Sequence, residues 1–116
     1  FREIQKMAEV ALSMLRRALD AFARLDVAGA LDVTRQDRKL DDEFDANFRQ
    51  LVTFMMEDPR AISMSIDTIF MCKAIERIGD HATNIAESVY YLINGTPLTT
   101  PRPKGDKSSF NEVKSS

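Results

Sequence analysis

Residues 55–60 read Met55-Met56-Glu57-Asp58-Pro59-Arg60, and this short run decides the fold. Proline at the first position of a helix gives up only an amide that would be unpaired there, and an aspartate just before it accepts from the free amides of the first turn. The run therefore closes one helix near Glu57 and starts another at Pro59. Upstream, Val33, Leu40, Phe44, Phe48, Leu51 and Met55 fall on one helical face. The stripe passes through Asp37, an acid at a position the pattern reserves for an apolar side chain. Downstream, Met64, Met71, Ile75, Ile78, Ala82, Ile85, Val89 and Leu92 line a helix that runs to about Ile93. Asn94-Gly95 closes it, since both residues tolerate the left-handed conformation of a C-terminal cap. A second line on the opposite side begins with Ile62, Ile66 and Ile69 and continues as Lys73, Glu76, Asp80, Asn84 and Glu87. Gly79 sits inside this helix at a cost of about 1 kcal/mol against alanine, which marks either a close approach or a tolerated weakness.

Nearer the start, Ile4, Ala8, Ala11, Leu15, Ala18, Phe22 and Leu25 alternate spacings of four and three, again one helix face. Asp26 then reads as a turn residue and as the N-cap of the next helix. No segment alternates with period two, which excludes a sheet. Three amphipathic helices with short connections predict an all-α fold, an antiparallel up-down-up three-helix bundle over residues 1–95. Residues 96–116 hold three of the four prolines and four serines and predict a flexible C-terminal tail. The chain opens on Phe1, already within the helical pattern, so a fragment or a processed chain is expected.

Composition narrows the function. Sixteen basic and eighteen acidic side chains give a formal charge of −2, with no push towards nucleic acid. With no tryptophan and two tyrosines, base-stacking platforms are not expected either. The single cysteine, Cys72, cannot form an internal disulfide and fits a reducing cytoplasm. No apolar run approaches the roughly 20 residues that cross a bilayer.

The chemistry lies in acids one helical turn apart. Asp37 and Asp41 form such a pair on the second helix, and Glu76 and Asp80 on the third. Like charges at this spacing destabilise a helix by about 0.2–0.5 kcal/mol per pair. In a hairpin turning at Asp58/Pro59, Asp41 and Glu76 each lie seventeen residues from the turn, and Asp37 and Asp80 each twenty-one. The two pairs should stand level. Four converging carboxylates need a counter-charge, and a hard cation such as magnesium, manganese, calcium or iron supplies one. Convergence requires the second line of the third helix to face the second helix, which the sequence leaves open. The alternative is a set of solvated acids paired with Arg38, Lys39, Lys73 and Arg77.

His81, the sole histidine, is read as structural or solvated, with phosphotransfer as the other option. Helical phosphotransfer domains tend to carry lysine and glycine shortly after the histidine, whereas Ala82-Thr83-Asn84-Ile85 follows here. Di-iron oxidases use Glu-x-x-His, a spacing absent from this chain. No nucleophile–base pair, phosphate-cradling glycine loop or paired-cysteine site is present, so no catalytic residue is assigned. Met55, Met56, Met64 and Met71, near the turn, read as core filler, with an adaptable docking surface as the other option.

The run from Glu76 to Glu87, Glu-Arg-Ile-Gly-Asp-His-Ala-Thr-Asn-Ile-Ala-Glu, closely resembles the hallmark of the PhoU family. Ala18–Phe22, Asp37–Asp41 and Met55–Pro59 look like the second, C-terminal repeat of a proteobacterial member, so the resemblance covers about residues 1–95. It implies one of two similar bundles of a longer protein. It implies Glu/Asp-x-x-x-Asp metal motifs, matched here by Glu76 with Asp80 and by Asp37 with Asp41; iron is the first expectation, with zinc, manganese or magnesium as alternatives. It also implies a non-enzymatic regulator of phosphate transport. Such a regulator represses phosphate-starvation signalling when phosphate is plentiful, by docking on the transporter's ATPase subunit and on a sensor histidine kinase. It would be cytoplasmic and reach the membrane only through those partners, with a homodimer left open. A histidine phosphotransfer protein using His81 is the alternative, and a carboxylate-bridged metal enzyme a third reading.

Overall fold

In the computed structural model, which describes residues 2–98, three α-helices are joined by very short connections. Helix α1 spans Arg2–Arg24, α2 spans Val27–Glu57, and α3 spans Ile62–Asn94 after a 3-10 turn at Pro59–Ala61. Among the described residues there is no strand. Each helix packs on both others. No described helix is long and apolar enough to cross a membrane. Most of the expected tail, residues 99–116, lies outside the described residues, as does Phe1.

The punctuation acts as expected. At the end of α1, Leu25 takes a left-handed conformation at φ 54°. Its amide donates to Phe22 O at 3.3 Å, and the Asp26 amide donates to Ala21 O at 2.8 Å, which satisfies two terminal carbonyls. The Asp26 side chain accepts from the Gly29 amide at 3.2 Å and so caps α2. Asp26→Ala is expected to cost about 1 kcal/mol of stability, read as a lower denaturant midpoint at unchanged slope. Asp58 accepts from the Arg60 amide at 3.1 Å, but the turn it caps is 3-10, so α3 proper begins three residues after Pro59. Gly95 ends α3 at φ 73° with its amide on Tyr91 O at 2.9 Å.

The buried faces are rotated from the expected stripes. In α1 the core line is Met7, Ala11, Met14, Ala18 and Ala21, whereas Phe22 and Leu25 are more than half exposed. In α3 it is Ser65, Thr68, Cys72, Ile75, Gly79, Ala82, Thr83, Ala86 and Val89. This line keeps Ile75, Ala82 and Val89 of the longer predicted stripe and is otherwise made of smaller and polar side chains, while Met64, Met71, Leu92, Ile62 and Ile66 are exposed. Small side chains occupy the core line because neighbouring helices approach closely there. The bulkier residues flank it.

Helix α2 contributes Ala30, Val33 and Leu40 to the core, with Phe44 packed against it. Asp37 is buried in the middle of that stripe, as its position in the sequence requires. Phe48 is exposed and stacks on Phe44, with ring centroids 6.2 Å apart. Between α1 and α2, Arg17 pairs with Asp32 at 3.1 Å, and Asn47 donates to Met7 Sδ at 3.0 Å.

An acidic seam as candidate functional site

Helix periodicity carries Asp37 and Asp41 to the same side of α2, and both are buried, at 2% and 7% exposure. Among the described residues they are the only buried carboxylates. Asp37 Oδ1 lies 3.7 Å from the point where a Cβ on Gly79 would stand. Leu40 Cδ2 nearly fills that point, so the glycine marks a close approach of α2 to α3. Asp80 follows directly and is half-buried, as is Glu76 one turn earlier.

A second contact fixes the other end of the seam. The Lys73 ammonium lies 5.2 Å from the centroid of the Phe44 ring. Asp41 and Glu76 fall between the Asp37–Gly79 and Phe44–Lys73 contacts, at corresponding positions on the two helices. Both contacts join residues that a hairpin turning at Asp58/Pro59 would set at nearly equal distances from the turn. Glu76 Oε1 accepts from Lys73 Nζ at 3.3 Å, one of the pairings offered as the alternative to a metal. Arg38, Lys39 and Arg77 are exposed.

Asp37, Asp41, Glu76 and Asp80 supply hard oxygen donors, the chemistry that divalent cations prefer. As the side chains stand, no group of three or more His, Cys, Asp or Glu among the described residues is arranged to hold a cation. His81 is exposed, as is Asn84, and Glu87 is half-buried. Cys72 is buried, and burial pushes its thiol above the ordinary cysteine range because the thiolate loses solvation. The Phe44–Lys73 contact was not legible beforehand. Its one signal is that Phe44 ends the buried part of the α2 stripe level with Lys73.

A second surface feature lies around the α2–α3 turn. Phe54, Met56, Ile62 and Met64 are exposed there, Met56 at 80%, and further along the two helices Phe48, Ile66, Phe70 and Met71 are exposed as well, Phe70 at 69%. Ile4, Leu51, Phe54 and Met64 line a groove of about 350 Å³, with Glu3, Asn47, Gln50 and Thr68 as polar members. The methionines read as core filler are thus largely surface: Met56, Met64 and Met71 are exposed and Met55 is half-buried.

Fold and site together define a small all-helical module with carboxylates set into the seam between two long helices. The PhoU domain model matches residues 4–89, and the chain belongs to the PhoU family. It is 49% identical over 96 residues to the "Phosphate-specific transport system accessory protein PhoU homolog" of Pseudomonas aeruginosa, a match covering 83% of this chain and 40% of that protein. It is 42% identical over 105 residues to the homologue of the same name from Caulobacter vibrioides, covering 90% of this chain and 46% of that one. The crystal structure of PhoU from Pseudomonas aeruginosa superposes with a TM-score of 0.77 at 49% identity, covering 79% of this chain and 44% of that one. The chain spans about half the length of these relatives.

Proposed function

We propose that this bundle serves as an accessory, regulatory module of phosphate transport, acting by docking rather than by catalysis. The observation that carries the reading is 42–49% identity, over most of the chain, to proteins named as accessory to the phosphate-specific transport system. The partners proposed are the transporter's ATPase subunit and a sensor histidine kinase on the cytoplasmic side, with repression of the phosphate-starvation response as the outcome. The exposed apolar residues around the α2–α3 turn supply the kind of surface that protein docking uses.

The chain path proposed is up-down-up. It is supported by the pairings Met7–Asn47 and Arg17–Asp32 between α1 and α2, and by Leu40–Gly79 and Phe44–Lys73 between α2 and α3. Cation binding by Asp37, Asp41, Glu76 and Asp80 belongs to the same proposal. It is supported by their matched heights and oxygen chemistry, and it requires the half-buried Glu76 and Asp80 side chains to turn towards the buried pair.

Capture tests the docking. Immobilised protein carrying this sequence should retain the purified ATPase subunit, and the double substitution Met56→Asp plus Phe70→Asp should cut retention about tenfold or more, as loss of a central apolar contact does. Equal retention by the variant would remove the turn from the interface. No retention by the unsubstituted protein would overturn the docking reading.

A further inference from the structure

We infer that the outer face of the α1–α3 pair docks on the same face of a second copy of this chain. On α1, Leu12, Leu15, Leu19 and Phe22 each follow a core residue by one position: Ala11, Met14, Ala18 and Ala21. They therefore stand about 100° round the helix from the core line. Arg17, before Ala18, stands on the other flank and reaches Asp32 of α2, so the apolar flank turns away from α2. On α3 the order is reversed. Met71, Ile78 and Ile85 each precede a core residue, Cys72, Gly79 and Ala86, and Leu92 continues the line. Lys73, after Cys72, lies over the Phe44 ring of α2, so this apolar flank also turns away from α2. Met14 Cε lies 3.7 Å from the Cβ position of Gly79, which sets the α1 line beside the middle of the α3 line. The two lines make one face.

That face is apolar, incompletely covered and large enough for a dimer. Leu15, Ile78 and Ile85 are half-buried against the core, whereas Leu19, Phe22, Met71 and Leu92 are more than half exposed. The eight side chains leave roughly 600 Å² in water, the upper end for a single patch on a monomer. Two such faces together remove about 1,200 Å², the lower bound for a specific interface. The seven-residue spacing of Met71, Ile78, Ile85 and Leu92 is that of a seam that packs on other helices. Between its ends this line holds only Ala74, His81 and Ser88 besides, and the α1 line holds no charged residue. A partner presenting charges here would lose their solvation without gaining a counter-charge. A second copy brings the same surface at matching period and length, in the isologous arrangement commonest among oligomers. Arg16, Asp67 and Arg77 are exposed at its border, where an interface keeps its polar rim. Pairing through this face does not depend on the docking proposed above.

Sedimentation equilibrium of the 116-residue chain over a concentration series tests the pairing. At about 100 µM the chain should sediment at twice its monomer mass. Leu19→Glu plus Leu92→Glu places a charge on each line at exposed positions and should weaken dimerisation about a hundredfold or more. Leu12→Lys plus Met71→Lys should do the same with the opposite charge. Circular dichroism should show unchanged helix content in both. Ala46→Glu, on the exposed side of α2, should leave dimerisation as it is. A chain that stays monomeric at about 100 µM would overturn the second copy as the occupant. Undiminished dimerisation in both doubly substituted chains, or an equal loss in Ala46→Glu, would overturn the α1–α3 face as the contact.

Discussion

Replacing Gly79 with valine is expected to destabilise the bundle by about 3 kcal/mol, the upper range for overpacking a filled interior. Valine's Cβ would collide with Leu40 Cδ2, and its methyls would press towards Asp37 Oδ1 and Met14 Cε, each 3.7 Å from the Cβ position. Leu40 and Met14 are fully buried, so neither has open space to move into. Removing a mid-helix glycine returns about 1 kcal/mol at most, and valine's restricted rotamers give part of that back. Urea unfolding followed by circular dichroism measures the difference. A loss below about 1 kcal/mol would show that α2 yields easily at this crossing, contrary to a tightly filled contact.

Leu40→Ala is expected to cost about 3 kcal/mol, within the range for truncating a buried leucine. Leu40 is fully buried and is the side chain that meets Gly79 at a close approach of α2 to α3. Its loss leaves a void next to Asp37, also buried. The two substitutions touch one contact and should not add. Gly79→Val with Leu40→Ala should lose less than the sum of the single losses, because the cavity of one admits the methyls of the other. Strict additivity would mean that the two side chains do not share space.

The helices were legible because their punctuation is local. Asp26, Asp58-Pro59 and Asn94-Gly95 act through their own backbone neighbourhoods, and each performs the role its chemistry dictates. The core faces were less legible. Hydrophobic spacing finds Ile75, Ala82 and Val89, yet the contact line of α3 also holds Ser65, Thr68, Cys72, Gly79, Thr83 and Ala86. Close helix approach selects for small volume, which a hydropathy pattern does not register, so the two apolar stripes were assigned to the interior while much of each lies beside it. Asp37 was legible as an acid within an apolar stripe, and it is buried there. The Lys73–Glu76 pair is local, three residues apart on α3, whereas the seating of Lys73 over the Phe44 ring depends on helix rotation, a tertiary quantity that no single helix encodes.

Asp26 carries one last implication. Its amide closes the end of α1 on Ala21 O, and its carboxylate opens α2 on the Gly29 amide. One residue thus fastens two helix termini, so neither can fray alone. Amide hydrogens on both sides of this junction should exchange with solvent at a common rate, as a single opening unit, and a residue inserted beside Asp26 would unfasten both termini at once.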